Sequence, residues 1–156
     1  MKEQIAQLKE LWKLENAAST TATENKIASF YSKNNLLIPN DLVVYFKLLN
    51  GTNEGYDEKF FQFYSFKQFK SVNEELKYWR GIPDYTNIVN TLNNHESFFI
   101  VADYFFHLFA YAIRLYQDES TKNEVLVICG DQYKRIANSF SEFIDLYLSE
   151  SIELQL

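Results

Sequence analysis

Two histidines and one cysteine are the side chains of this chain best suited to nucleophilic or acid–base chemistry. His95 and His107 would have to supply the base for any nucleophile, and neither lies in a hydrolase motif, since Gly-x-Ser-x-Gly is absent. His95-Glu96 does not extend to His-Glu-x-x-His, because Phe99 stands four residues after the histidine, so no metal site is expected. Cys129 ends an apolar run, which predicts an inert thiol.

Cofactor chemistry is equally poorly supported. The chain has only 4 glycines and none of the glycine-rich loops that hold phosphates, so no cofactor-binding residue is expected. His107 follows three aromatic residues, where a structural, hydrogen-bonded histidine is favoured over a general base. We therefore predict no catalytic residue. An enzyme is left only as a remote alternative, in which His95 or His107 would converge with carboxylates in a pocket.

Acidic side chains in two predicted loops, and two residues at an aromatic connection, are the candidates for binding a protein partner. Adjacent carboxylates in a loop do not face each other across a substrate, so they do not resemble a hydrolytic pair. Charged loops on a rigid scaffold are common recognition sites, although ordinary solubility charge is the competing interpretation. The predicted partner-binding residues are Glu54, Asp57, Glu58, Asp103, Tyr104, Asp118, Glu119 and Glu124.

The charge is unevenly distributed along the 156 residues. Residues 1–78 carry equal numbers of basic and acidic side chains, so the whole net charge of −6 belongs to residues 79–156. Such a half repels nucleic-acid phosphates, which excludes direct nucleic-acid binding, and it attracts a basic protein surface.

The order of apolar patterns predicts an α+β fold, with N-terminal helices and a C-terminal helix packed on a mainly antiparallel sheet. The connections between the later strands are too short for helical crossovers, which favours an antiparallel meander. Trp12 is favoured as core, whereas the Tyr104–Phe106 cluster is equally compatible with core and interface. The predicted helices are 1–16, one after Thr21, 42–49, 65–79, a weakly indicated one at 87–92 and one after Ser139; the predicted strands are 60–64, 98–102, 109–113 and 125–129.

We expect one soluble, cytoplasmic domain over residues 1–156. A single cysteine fits a reducing compartment, and the charged N-terminal stretch lacks the apolar core of a signal peptide. No run approaches the roughly 20 apolar residues that a membrane span requires.

The order of several short motifs resembles the SUKH superfamily over about residues 24–150. Each motif is weak alone, and the order carries the resemblance. The motifs are Ile38-Pro39-Asn40-Asp41 before a helix, Asn50-Gly51 after it, Phe99-Ile100-Val101-Ala102-Asp103, Tyr111-Ala112-Ile113, and Ala137-Asn138-Ser139-Phe140-Ser141-Glu142-Phe143-Ile144.

This resemblance implies an α+β domain that acts by binding proteins. Members include bacterial immunity proteins, which neutralise polymorphic or contact-dependent toxins, and eukaryotic regulators of cell-wall synthesis. The expected partner is thus a cognate protein toxin, with a nuclease as one such class, and the alternative is a non-catalytic regulatory or scaffolding module related to the cell-wall regulators. The connection 103–108 lacks the glycine-rich turn of many members, which leaves the subgroup open.

Overall fold

A computed structural model describes residues 1–14 and 21–156. Helices and strands alternate irregularly along the chain, with short 3-10 turns at residues 76–78, 95–97 and 152–154. The helices are α1 (Lys2–Leu11), α2 (Thr21–Asn34), α3 (Asn40–Leu48), α4 (Val72–Glu75), α5 (Ile88–Thr91) and α6 (Phe140–Leu148). The strands are β1 (Phe61–Phe63), β2 (Phe98–Tyr104), β3 (Phe109–Arg114), β4 (Val125–Cys129) and β5 (Gln132–Ala137).

The five strands form one antiparallel sheet in the order β1-β2-β3-β4-β5. Strands β2 to β5 are consecutive hairpins, which confirms the predicted meander, and β1 joins the free side of β2. The domain is therefore α+β, as the sequence predicts, with helices at both ends of the chain packed on an antiparallel sheet.

Both faces of the sheet are covered. On β2, Phe99 and Val101 pack under α1, α2, α3 and α6, whereas Phe98 and Ile100 pack under the segment 64–92 that includes α4 and α5. This explains why β2 has no alternation of apolar and polar residues: successive side chains point to opposite faces, and both faces are buried.

The predicted helix over 65–79 is wrong for most of its length. Helical structure is confined to α4 and the following 3-10 turn, and the capping box uses Ser71 and Glu74. The backbone before α4 runs extended beside β2, since Ser71 forms a bridge with Phe99 and the N–H of Ile100 donates to the carbonyl of Lys70 over 2.9 Å. Tertiary pairing with β2 thus overrides the helical spacing of the aromatic residues.

Strand β5 is absent from the sequence prediction. Its residues are polar or charged at three of six positions, Gln132, Lys134 and Arg135, as is common at a sheet edge. Gly130 has φ +63° and makes the two-residue turn with Asp131 that returns the chain from β4 to β5.

Local signals place the remaining helices well. Ser139 caps α6 as predicted, because its hydroxyl accepts the N–H of Glu142 over 3.0 Å. α1 ends at Leu11 rather than near Asn16, which lies outside the described residues. Gly51 follows α3 with φ +93°, and a Cβ there would lie 2.7 Å from the backbone nitrogen of Ser65, so only glycine fits this close approach.

Candidate partner-binding surface

Four aromatic side chains cluster at one end of the sheet, and we call them the aromatic tip: Tyr56, Phe60, Phe105 and Phe106. The rings of Tyr56 and Phe106 lie 4.7 Å apart between centroids, and those of Phe60 and Phe105 lie 5.5 Å apart. Phe60, Phe105 and Phe106 are nonetheless 49%, 46% and 69% exposed. The tip is an apolar surface in water, of the kind that marks interaction sites.

The backbone under these rings is strained. Phe105, Phe106 and His107 form the turn between β2 and β3 with φ of 46°, 52° and 72°, and Phe60 has φ 62°. The left-handed region costs an L-residue roughly 1–2 kcal/mol, and it is normally occupied by glycine or asparagine. Strain of this kind concentrates at functional sites. The tip thus has two features of a functional site, which are exposed apolar rings and a backbone conformation that costs folding free energy.

The two loops of the tip are joined by backbone and by a buried carboxylate. The N–H of Phe105 donates to the carbonyl of Phe60 over 2.9 Å. Asp103 is completely buried below the tip, where it accepts hydrogen bonds from the hydroxyls of Tyr56 at 2.5 Å and Tyr64 at 3.1 Å. Burial raises the pKa of Asp103 above its ordinary value, and the bond from Tyr56 offsets part of that shift.

His107 anchors the other side of the turn. Its ring stacks on Trp79 with centroids 3.7 Å apart and planes within 4°, and its Nε2 lies 4.0 Å from Oδ2 of Asp103. The hydroxyl of Tyr85 donates to the carbonyl of His107 over 2.8 Å. These contacts give His107 a structural role in the turn, through ring stacking and its backbone carbonyl rather than through the hydrogen-bonded imidazole that the sequence predicts.

Asp57 has a comparable structural role in the loop that carries Phe60. Its Oδ1 accepts the backbone N–H groups of Lys59 and Phe61 over 2.8 and 2.9 Å, and its Oδ2 accepts the hydroxyl of Tyr147. Tyr147 in turn accepts the indole N–H of Trp12 over 2.9 Å, so Trp12, which is partly buried against the core, joins the end of α1 to this network.

An aromatic cleft of about 360 Å³ opens beside the tip, between the sheet and the segment that follows α6. Lys59 lies at this cleft, where its ammonium pairs with Glu150 over 2.9 Å and sits 5.0 Å from the ring centroid of Tyr147. The tip and the cleft form one continuous apolar surface through Phe60. The aromatic residues that line the cleft are Phe60, Phe61, Tyr104, Phe109, Tyr111 and Tyr147.

The predicted acidic loop at this end is balanced by lysines. Glu58 pairs with Lys13 over 2.8 Å and Glu54 with Lys67 over 3.5 Å, and all four side chains are well exposed. Exposed pairs of this kind contribute little to stability and are screened by salt. The carboxylates therefore lie in charge-balanced pairs, on the loop that carries Tyr56 and Phe60, and do not form an acidic surface.

The eight predicted partner-binding residues do not come together. Five of them, Glu54, Asp57, Glu58, Asp103 and Tyr104, lie at the tip end of the sheet, with Asp103 inside it and Tyr104 half-buried against the core.

The other three residues lie on the connection from β3 to β4, at the opposite end of the sheet. Phe61, where the tip loop enters the sheet, pairs with Tyr104 at the end of β2, whereas Arg114, where the β3–β4 connection leaves it, pairs with Phe98 at the start. Seven strand residues separate these ends by roughly 20 Å. Asp118 and Glu119 are exposed, and Glu124 accepts the hydroxyl of Tyr116 over 2.7 Å.

The residues considered for catalysis are also dispersed. His95 precedes β2 and His107 follows it, so the two imidazoles lie at opposite ends of one strand. Burial raises the pKa of the Cys129 thiol, which disfavours the nucleophilic thiolate. Within residues 1–14 and 21–156, no three His, Cys, Asp or Glu side chains converge as a metal site would require.

The eight predicted partner-binding residues include none of the four side chains of the aromatic tip. The sequence leaves the Tyr104–Phe106 cluster equally compatible with core and interface, and it does not single out Tyr56 or Phe60, because an aromatic excess is ordinarily core. One signal was available: residues 104–107 are Tyr-Phe-Phe-His in a connection that needs turn residues, where glycine, asparagine and aspartate dominate.

A family model described as SMI1 / KNR4 family (SUKH-1) matches residues 21–146, and these include both loops of the aromatic tip. The match confirms the resemblance predicted from the motif order. No curated protein and no solved structure matches the chain. In the described part of the chain, no helix has the length and apolar character to cross a lipid bilayer.

Proposed function

Since the chain belongs to the SMI1 / KNR4 family (SUKH-1), we propose that it is an immunity protein, which binds and neutralises a cognate toxin through the aromatic tip. The observation that carries this proposal is the pair of phenylalanines, Phe105 and Phe106, held exposed in a left-handed turn. Folding alone would favour polar or glycine residues there, and a binding partner accounts for the exposed rings.

The physical properties of the tip suit an energetic hot spot. Aromatic rings contribute much contact area with few rotatable bonds, and the bonds to Asp103 and the stacking on Trp79 fix the turn before binding. Little conformational entropy is then lost on association. The exposed Glu54–Lys67 and Glu58–Lys13 pairs involve the loop that carries Tyr56 and Phe60, and their charges can exchange partners with a toxin surface.

Neutralisation would follow from steric blockage. The exposed hairpin turn can contact a concave active site, and the aromatic cleft beside it can receive a side chain from the toxin. A toxin with a phosphate-binding site, such as a nuclease, presents cations, and the long-range field of a chain with net charge −6 would attract them and speed the encounter. We place this interaction in the cytoplasm, where a single cysteine remains reduced.

The alternative is a regulatory or scaffolding module without catalytic activity and without a toxin. It would use the same surface, and the family match is compatible with it. The two functions differ in the partner that the chain binds. A growth assay in the presence of a toxin therefore distinguishes them, whereas the fold does not.

The proposal is tested by co-expressing the chain with any toxin candidate that a neighbouring gene encodes and scoring survival. The wild type should rescue growth, the double variant Phe105→Ser/Phe106→Ser should not, and Tyr31→Ser should. Tyr31 is a matched control because it is an aromatic residue 46% exposed on α2, outside the tip. Equal rescue by both variants would refute a role for the tip, and no rescue by soluble wild type would favour the regulatory alternative.

A further inference from the structure

The two edges of the sheet are treated differently by the chain. At the outer edge of β1, the carbonyls of Phe61 and Phe63 accept the backbone N–H groups of Asp57 and Thr52 over 2.8 and 3.1 Å. The N–H groups of the same two residues donate to the side chains of Asp57 and Thr52 over 2.9 and 3.2 Å. Loop 52–57 thus closes this edge completely.

The outer edge of β5 is open. Cys129 pairs with Gln132 across the two-residue turn, and in such a hairpin the alternate residues Tyr133 and Arg135 direct their backbone groups away from β4. Among the hydrogen bonds of residues 1–14 and 21–156, none from another element reaches the backbone of β5 on that side. A strand of this length whose outer edge is unpaired can accept an added strand.

The side chains of β5 specify a charge for that added strand. Lys134 and Arg135 are consecutive, so they point to opposite faces of the sheet. Arg135 is exposed and lies in no ion pair of the described chain, and the ammonium of Lys134 is 3.9 Å from a well-exposed Glu153 carboxylate. In the half of the chain that carries the whole net charge of −6, these two cations are adjacent on the open edge.

We propose that β5 binds an extended segment of a partner protein that carries two consecutive acidic residues. The segment adds as a sixth strand through the backbone groups of Tyr133 and Arg135, and its carboxylates face Lys134 on one side of the sheet and Arg135 on the other. A second copy of this chain does not fit, because self-pairing brings like charges together on two molecules that each carry −6. This surface is independent of the aromatic tip, since β5 and β1 are opposite edges.

The probe is a blocked ten-residue peptide of alternating threonine and valine with Asp-Glu at its centre. Binding should slow amide exchange at Tyr133 and Arg135, and a peptide with Lys-Lys at its centre should bind about tenfold more weakly, since two attractive pairs become repulsive. Methylation of the peptide's edge-facing backbone nitrogens should abolish binding. The preference is measured as the logarithm of the ratio of the affinities for the acidic and the basic peptide. Arg135→Glu should reduce this logarithm to zero, and Arg135→Gln should halve it. Lys122→Glu reverses an exposed charge elsewhere and should leave it unchanged.

Equal affinity for the acidic and basic peptides, or protection of amides other than those of β5, would overturn the proposal. Protection of Tyr133 and Arg135 in peptide-free protein, together with a dimer in sedimentation, would also overturn it, because the occupant would then be a second copy.

Discussion

Replacing Phe106 with asparagine should separate stability from binding. The ring is 69% exposed, so only about a third of its apolar surface is buried in the folded protein. Removing that buried surface should lower the free energy of unfolding by roughly 0.5–1 kcal/mol. Its contact with Tyr56 at 4.7 Å contributes about 0.5 kcal/mol more at an exposed site. Asparagine tolerates φ 52° better than phenylalanine, so the relief of backbone strain should raise the free energy of unfolding by roughly 1 kcal/mol. The net change in unfolding free energy should therefore lie within about 1 kcal/mol.

Affinity should change far more than stability. A hot-spot aromatic contributes at least about 2 kcal/mol to binding, so Phe106→Asn should weaken the complex by about 30-fold or more. Urea unfolding monitored by the fluorescence of Trp12 and Trp79 gives the first quantity, and calorimetric titration with the co-purified partner gives the second. Destabilisation above about 2 kcal/mol would show that Phe106 is packed as core, and unchanged affinity would remove it from the interface.

Three further changes test the supports of the site and the fold. Because burial raises the pKa of Asp103, this carboxyl group keeps its proton to a higher pH in the folded state than in the unfolded state. The free energy of unfolding should therefore fall as pH rises from the ordinary aspartate pKa of about 3.9 through the raised pKa. Urea unfolding across this pH range should show a flatter slope for Asp103→Asn. A slope unchanged in the variant would assign the effect to other groups. Gly51→Ala should destabilise by more than Gly81→Ala in thermal unfolding: both have positive φ, but only Gly51 would place a Cβ 2.7 Å from backbone, whereas nothing lies within 4 Å at Gly81. Equal losses would show that the clash relaxes. Ser139→Ala should cost about 1 kcal/mol through loss of the α6 cap, with Ser149→Ala, at the other end of α6, as the control that costs less; no difference between them would contradict the capping argument.

The elements that were predictable have local causes. Strands β2, β3 and β4 read as apolar runs because both faces of the sheet are buried, and α6 combines a serine cap with a regular apolar stripe. The segment 65–79 misled because Phe66, Phe69 and Leu76 have helical spacing, while its course is decided by pairing of Ser71 with the distant Phe99. No local pattern records that contact.

The site was predictable only where local sequence patterns define it. Charged loops are recognisable from sequence, and the loop at Glu54 to Glu58 does border the tip. The burial of Asp103 is not recognisable, since it depends on hydroxyls of Tyr56 and Tyr64 that lie 47 and 39 residues away. The exposure of Phe105 and Phe106 is likewise a consequence of a left-handed turn held by Trp79 and Tyr85.

Hydrogen exchange of the complex with the co-purified partner tests the central claim most directly. If the aromatic tip is the binding surface, amides of residues 53–60 and 103–109 should exchange more slowly in the complex, and Phe106→Asn should reduce that protection at matched concentrations. Protection confined to residues 115–124, at the opposite end of the sheet, with no change at the tip, would contradict the account.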